Sequence, residues 1–465
     1  MRHTKLIATL GPATEVPGVL EGLIAAGLDV ARLNTSHATR DVLDRQLAAV
    51  RTAAAVDGRH VAVMLDLGGA KIRIGQVAEG AILMAGERFE LRTEAGPGDA
   101  SGASVNHVGL PGDLSPGDRV LIDDGRIELA VVAVEPGVVR TVVEAGGALT
   151  SRRGVNVPGV RLSVESITDT DRANLAWALD HGVDLVAQSF VRSADDVIAL
   201  RAAMGTRVVP IVAKIEKHEA VTDLQAIVAA ADAVMVARGD LGVEIAPEQV
   251  PVVQRRIVAA ARAAGKPVVV ATQMLESMTE AHRPTRAEAS DVANAIFDTV
   301  DAVMLSGETA IGRNPVHVLA TMDRIVRAAE AEVVDHPTVL APGATDDVAA
   351  AVSRAVCELA ATLDLAAIVT PTQSGATARA VAAHRPRVPV LAATPDEAVA
   401  RWLAIVWGVR AAVIGSYSTI DEMIAAAAEA ARDAGVARPG DLIAVTGGVA
   451  VHVSGSTNLI QVHRV

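Results

Sequence analysis

The sequence predicts an α/β protein: a (β/α)8 TIM barrel with an inserted small all-β lid domain and a C-terminal open α/β domain. Three observations predict it. Eight short β-branched runs alternate with longer Ala-rich stretches. The alternation breaks between about Ala70 and Gly159, where turn signals crowd together. It resumes from about Ala331 with a second set of strand-like runs. The expected divisions are 1–69 with 160–330 for the barrel, 70–159 for the lid and 331–465 for the C-terminal domain.

The eight barrel strands are expected at Lys5–Leu10, Asp29–Asn34, His60–Leu67, Leu185–Phe190, Val208–Glu216, Ala233–Arg238, Pro267–Gln273 and Ala302–Ser306. Most are nearly continuous apolar runs, as parallel strands covered on both faces require. Helices are expected between them. Two, Pro247–Ala264 and Pro284–Val300, open with Pro, which suits a first helical turn. The inserted segment carries Pro-Gly-Asp and Asp-Gly turns at 97–99, 111–113, 116–118 and 124–125, around Val-rich strands at Ile127–Val134 and Val138–Val143. Later strands are expected at Ala366–Thr370, Val388–Ala392, Ala411–Ile414 and Leu442–Thr446, with a final one at Asn458–Val465.

Composition bounds the function. The 465 residues carry 51% apolar and 21% charged side chains, a globular balance, with only 2% aromatics. The core must therefore be aliphatic. A net charge of −13 argues against a general nucleic-acid binder but not against a local basic pocket. The one cysteine, Cys357, excludes an internal disulfide framework and a multi-cysteine zinc site. No apolar run reaches the roughly 18 residues of a membrane span. The basic start Met1–Lys5 is cut short by Gly11-Pro12, so it reads as the first strand of a cytoplasmic protein rather than a signal peptide.

Active sites of such barrels lie at the C-terminal ends of the strands. The polar residues closing the runs are Arg32 and Asn34, Asp66, Lys214 and Glu216, Arg238 and Asp240, Thr272, and Ser306 with Glu308. Residues two apart in a strand share a face, so Arg32/Asn34 and Lys214/Glu216 converge as pairs. Any one of them alone reads as a solvated loop residue. The mixture carries the signal: carboxylates for a cation, cations for an anion, and a hydroxyl. Glu216 and Asp240 are hard oxygen ligands of the kind that hold Mg²⁺. Lys214 beside them can stabilise charge on a transferring phosphoryl group or an enolate oxygen. Arg32 and Arg73 suit bidentate phosphate binding. No Walker-type loop is present, since Gly265-Lys266 runs into Pro267.

Longer motifs surround these residues: Val30-Ala31-Arg32-Leu33-Asn34-Thr35-Ser36-His37, Lys214-Ile215-Glu216, Met235-Val236-Ala237-Arg238-Gly239-Asp240-Leu241-Gly242-Val243-Glu244, Ala271-Thr272-Gln273-Met274-Leu275-Glu276-Ser277-Met278 and Met304-Leu305-Ser306-Gly307-Glu308-Thr309-Ala310. Across essentially the whole chain they resemble the pyruvate kinase family. The resemblance implies phosphoryl transfer from phosphoenolpyruvate to ADP in glycolysis, a closing lid, a regulatory C-terminal domain and a homotetramer. It implies that Glu216 and Asp240 bind Mg²⁺, with Mn²⁺ as an alternative ion. Lys214 and Arg32 then attend the phosphoryl group and the enolate. Gly239, Asp240 and Thr272 hold the substrate carboxylate, and Ser306 and Glu308 form a proton relay behind Thr272. Asn34, His37, Arg73 and Arg153 fall on the ADP/ATP side.

This chain departs from the family pattern in places. The segment Asp66-Leu67-Gly68-Gly69-Ala70-Lys71-Ile72-Arg73 replaces the usual Asp-Thr-Lys-Gly-Pro-Glu-Ile-Arg. Lys71, where potassium-dependent members carry Glu, resembles the potassium-independent subgroup. Its ammonium is expected to replace K⁺, with Asn34, Ser36, Asp66 and Leu67 around it, or else Lys71 is a solvated hinge residue. Gly69-Ala70 loosens the first hinge, and Arg153 stands where Lys is usual. In the C-terminal domain, Thr372, Ser374, Gly375 and Thr377 form either a phosphate-binding loop for a phosphorylated effector or an ordinary helix cap. Two alternatives to an active kinase stand beside this reading. One is a catalytically impaired paralogue that senses a phosphorylated metabolite. The other is a metal-dependent phosphoenolpyruvate/pyruvate lyase.

Overall fold

The structure is a computed structural model that describes residues 2–36, 38–335, 347–448 and 457–465. Eight parallel strands close into a barrel: Lys5–Thr9, Val30–Asn34, Ala62–Leu67, Leu185–Gln188, Ile211–Ile215, Ala233–Ala237, Val268–Ala271 and Ala302–Leu305. The first strand pairs with the second on one side and with the eighth on the other, which closes the ring. All eight expected strands form, each shorter than its apolar run at one or both ends.

The period of two explains how the barrel is filled. Ile7, Val30, Met64, Ala187, Val212, Met235, Val269 and Met304 come from all eight strands and pack together inside. Their neighbours Leu6, Leu33, Val63, Val186, Val234, Val270 and Val303 pack outward under the helices. Arg32, Asp66, Ser189, Lys214 and Glu216 continue the inward phase past the apolar layers. The alternation that fills the barrel with aliphatic side chains therefore delivers polar ones to its C-terminal mouth.

Two helix starts differ from expectation. Pro247 opens a short 3₁₀ turn, Pro247–Gln249, before the helix Val250–Ala263. Pro284 lies outside its helix, which runs Arg286–Phe297. Thr285 is the N-cap, accepting from the Glu288 amide while Glu288 reaches back to Thr285. The capping box sets the start, and Pro284 only shapes the approach.

The inserted segment forms a six-stranded sheet in the order Val155–Asn156, Arg119–Ile122, Ile127–Glu135, Val138–Ala145, Arg88–Arg92 and Gly102–Ser104. It has its own core around Phe89, Leu91, Leu129 and Val139. The C-terminal sheet runs Val409–Val413, Val390–Thr394, Ala367–Pro371, Leu442–Gly448 and Thr457–Arg464. The last strand is antiparallel to its neighbour, Leu442–Gly448. The barrel helix Pro315–Asp335 continues across the boundary expected at 330/331.

Candidate active site

Four charged side chains and two hydroxyls lock together at the mouth of the barrel. Asp66 is 2% exposed, so it must be neutralised where it stands. Arg32 Nε donates to Asp66 Oδ2 at 2.7 Å, and Arg32 Nη1 donates to Thr9 Oγ1 at 2.9 Å. Lys214 Nζ lies 3.3 Å from Asp66 Oδ1, 3.0 Å from Glu216 Oε1 and 2.6 Å from Ser189 Oγ. Burial works to raise the Asp66 carboxyl, but Lys214 and Arg32 hold it below its usual range. Burial works to lower the Lys214 ammonium, but Asp66 and Glu216 outweigh it and raise its pKa. Lys214 is therefore held as a buried cation.

Glu216 is 1% exposed. Its Oε2 accepts from the Phe190 amide at 2.8 Å, and its Oε1 is paired with the Lys214 ammonium at 3.0 Å. Burial first, and then Asp240, raise the Glu216 pKa against the pull of Lys214. Two neighbouring carboxylates, one of them buried and pushed toward protonation by the other, are the hard oxygen donors that suit a divalent cation. Glu216 and Asp240 together fit Mg²⁺ or Mn²⁺ as hard oxygen ligands.

Asp240 Oδ1 is instead paired with Lys71, whose Nζ lies 2.9 Å away and 5.7 Å from the Phe190 ring centroid. Lys71 makes no hydrogen bond or ion pair with Asn34, Ser36, Asp66 or Leu67. The arrangement expected around Lys71 is not assembled here. The reason is local: Asp66 is already satisfied by two cations, and Asn34 Oδ1 accepts from the Ser36 amide.

Thr272 sits at φ 66, a left-handed conformation that β-branched residues rarely adopt. Its Oγ1 accepts from the Gly239 amide at 2.8 Å. Arg238 fixes this loop by donating to Thr272 O at 2.7 Å while pairing with Asp291. The strain at Thr272 thus carries the Arg238-Gly239-Asp240 turn toward the mouth. Ser306 and Glu308 lie in the turn after the eighth strand. Glu308 accepts from the amides of Leu275 and Ser306 at 3.1 and 2.6 Å. Ser306 Oγ is buried and makes no hydrogen bond among the described residues, so no Ser306 hydroxyl–Glu308 bond joins the expected relay.

Other expected residues are held elsewhere. Arg73 Nη1 donates to Arg152 O at 3.2 Å, and Arg153 pairs with Asp123 at 3.1 Å, both within the inserted segment. His37 lies outside the described residues. Thr372 Oγ1 accepts from the Gly375 amide at 2.9 Å, and Thr377 shares a 2.7 Å hydrogen bond with Thr457. The N-cap of the following helix is Gly375, at φ 77, rather than Ser374 or Thr372.

Sequence reasoning missed Ser189, although it carries the inward phase of Leu185 and Ala187 to the end of the fourth strand. It also missed the amide of Phe190, which grips Glu216 from φ 56. No side-chain pattern announces a backbone donor.

Fold and site define a class: a (β/α)8 barrel enzyme with a buried lysine, a part-buried arginine and neighbouring carboxylates at one mouth. The comparisons with known proteins are specific. The model of the pyruvate kinase barrel domain matches residues 1–319, and that of the pyruvate kinase alpha/beta domain matches residues 350–463. A pyruvate kinase of Geobacillus stearothermophilus is 44% identical over 99% of this chain and 80% of its own length. One of Mycobacterium tuberculosis is 43% identical over 100% of this chain and 98% of its own. The crystal structure of a pyruvate kinase from Cryptosporidium parvum superposes with a TM-score of 0.91 at 34% identity, covering 100% of this chain and 96% of that one. The chain belongs to the pyruvate kinase family and is a phosphotransferase.

Proposed function

We propose that this protein transfers the phosphoryl group of phosphoenolpyruvate to ADP, giving pyruvate and ATP. The observation that carries the reading is the pair of cations, buried Lys214 and part-buried Arg32, sharing Asp66 beside Glu216 and Asp240. Phosphoryl transfer needs positioning and charge neutralisation more than covalent help. Arg32 orients the phosphoryl oxygens through its planar fork. Lys214 stabilises the charge that shifts onto the enolate oxygen as the phosphorus–oxygen bond of the substrate breaks. An oxygen of the ADP β-phosphate forms the new bond. The enolate carbon then takes a proton from solvent water on the Thr272 side, with the Ser306 hydroxyl, which has no partner among the described residues, behind it and Glu308 positioning the loop. Glu216 and Asp240 would hold Mg²⁺ or Mn²⁺, which when bound neutralises phosphoryl and carboxylate oxygen charge.

The inserted sheet, 70–159, serves as a lid that excludes water. Asn34, Arg73 and Arg153 serve the nucleotide on its closure, and Lys71 replaces a K⁺ ion once its pairing with Asp240 is exchanged. The barrel comprises 1–69 with 160–330, and 331–465 forms a regulatory domain with a phosphorylated effector at Thr372–Thr377. The reading includes a homotetramer and a cytoplasmic location; among the described residues no helix is long and apolar enough to cross a membrane.

Phosphorus NMR for phosphoenolpyruvate and ATP, with proton NMR for pyruvate, tests this in the presence of Mg²⁺. Pyruvate and ATP should form one for one, and only with ADP present. Pyruvate without ADP would favour the lyase. No reaction would favour the metabolite-sensing paralogue.

A further inference from the structure

At the N-terminal end of the barrel, on the side away from the active site, a narrow crevice is shared between the barrel and the C-terminal domain. Arg262, Lys266, Arg379 and Arg385 line it, and the one carboxylate among them is Asp301. It adjoins a wider cavity that shares Arg262 and Arg385 and is walled by Ile296, Val333 and Trp407, with the Glu330 carboxylate also in its lining.

Asp301 does not balance these cations. It already accepts from the amides of Val268 and Trp407 and from Arg385 Nη2, at 3.1, 3.2 and 3.1 Å. Three guanidinium nitrogens, Nε and Nη1 of Arg385 and Nε of Arg379, are shut off from solvent and donate to nothing among the described residues. Buried donors left unpaired are costly, and charged ones more so. The two guanidinium groups are also fixed from behind: Arg385 lies 4.6 Å from the Trp407 ring centroid and Arg379 lies 5.4 Å from that of Trp402. The Arg385 backbone is left-handed, at φ 52, which is strain of the kind kept at ligand sites.

We infer that this crevice is a binding site for a small dianion, a phosphate group or a paired dicarboxylate, held by Arg262, Arg379 and Arg385 with Lys266 beside them. The wider cavity receives the carbon skeleton of the ligand against Ile296, Val333 and Trp407. Such a ligand would tie the barrel to the C-terminal sheet. It would also touch the helix Ala376–Ala382, which follows the Thr372–Thr377 loop. Burial lowers the pKa of all four cations, that of Arg262 to about 10 with Arg385 adding to the effect. A bound dianion relieves all four at once. The inference stands apart from the catalytic reading and needs no turnover.

The test uses the full-length protein, with inorganic phosphate and malonate as probes. Binding is followed by the fluorescence of Trp402 and Trp407 and by calorimetry. Saturable binding of phosphate, malonate or both is expected, and the probe that binds identifies the source chemistry. Affinity should fall roughly tenfold to a hundredfold in Arg262→Gln and Arg385→Lys, the loss of one or two charge-assisted hydrogen bonds. Arg379→Gln, which leaves Asp301 untouched, carries the test if Arg385→Lys fails to fold. The Arg32→Gln variant separates out phosphate held at the catalytic mouth and should leave the tryptophan signal unchanged. No saturable signal with either probe, or the same affinity in the Arg262 and Arg379 variants, overturns the inference.

Discussion

Lys71, at the start of the inserted segment, places its ammonium 2.9 Å from Asp240 Oδ1, so that segment and a carboxylate of the barrel mouth are joined by one ion pair. The two side chains are 23% and 24% exposed, and the pair is screened in part by water. A divalent cation arriving at Asp240 must displace Lys71. Lys71→Met should therefore bind Mn²⁺ more tightly in the absence of substrates, by about two- to fivefold, the worth of a partly exposed pair. Paramagnetic titration of free Mn²⁺ measures this. Unchanged or weaker binding contradicts it.

Lys214→Met should lower turnover by about a hundred- to a thousandfold, the usual effect of removing one preorganised charge from a transition state. Mn²⁺ binding should persist, because Glu216 and Asp240 remain. A variant that loses turnover and metal together would show that Lys214 organises the carboxylates instead.

Gly69 is at φ 65, and a Cβ there would stand 2.8 Å from Phe190 Cδ2. Gly69→Ala should therefore be strained by about 1–2 kcal/mol from the backbone alone. It should also push on the residue whose amide holds Glu216. A lower thermal midpoint together with a reduced kcat is the expected outcome. An unchanged kcat would separate Phe190 from the chemistry.

Lys5 is 8% exposed and donates to Val409 O at 2.6 Å, across to the C-terminal sheet. Burial lowers its pKa from 10.5 to about 8, against the pull of Asp29 and helped by Arg2, Arg59 and Arg410. Between those values the unfolded chain binds the extra proton, so folding stability gains with rising pH, by about 3 kcal/mol across the window. The thermal midpoint should therefore rise relative to Lys5→Met as pH goes from 8 to about 10.4. Parallel curves would contradict the linkage.

The strand period made Arg32, Asp66, Lys214 and Glu216 legible, because a buried parallel strand admits a polar side chain only where it ends. The same rule reaches Ser189, which went unread because a lone serine carries little chemical signal. Lys71 illustrates the opposite limit. Its partner is 169 residues away, and which of several carboxylates it meets depends on which are already neutralised. The Thr272 conformation, the Phe190 amide and the two amides held by Glu308 are backbone facts that no side-chain pattern encodes. Pro284 was misread because a capping box, not the proline, decides where that helix begins.

Pyruvate formation from phosphoenolpyruvate and ADP with Mg²⁺, in Tris buffer free of K⁺ and again with K⁺ added, tests the central claim most directly. Full turnover without K⁺, unchanged on adding it, is the expected result for a phosphotransferase in which Lys71 supplies the monovalent charge. Turnover only after K⁺ is added would keep the reaction and remove that role from Lys71. No turnover in either buffer, with Mn²⁺ still bound, would contradict the account.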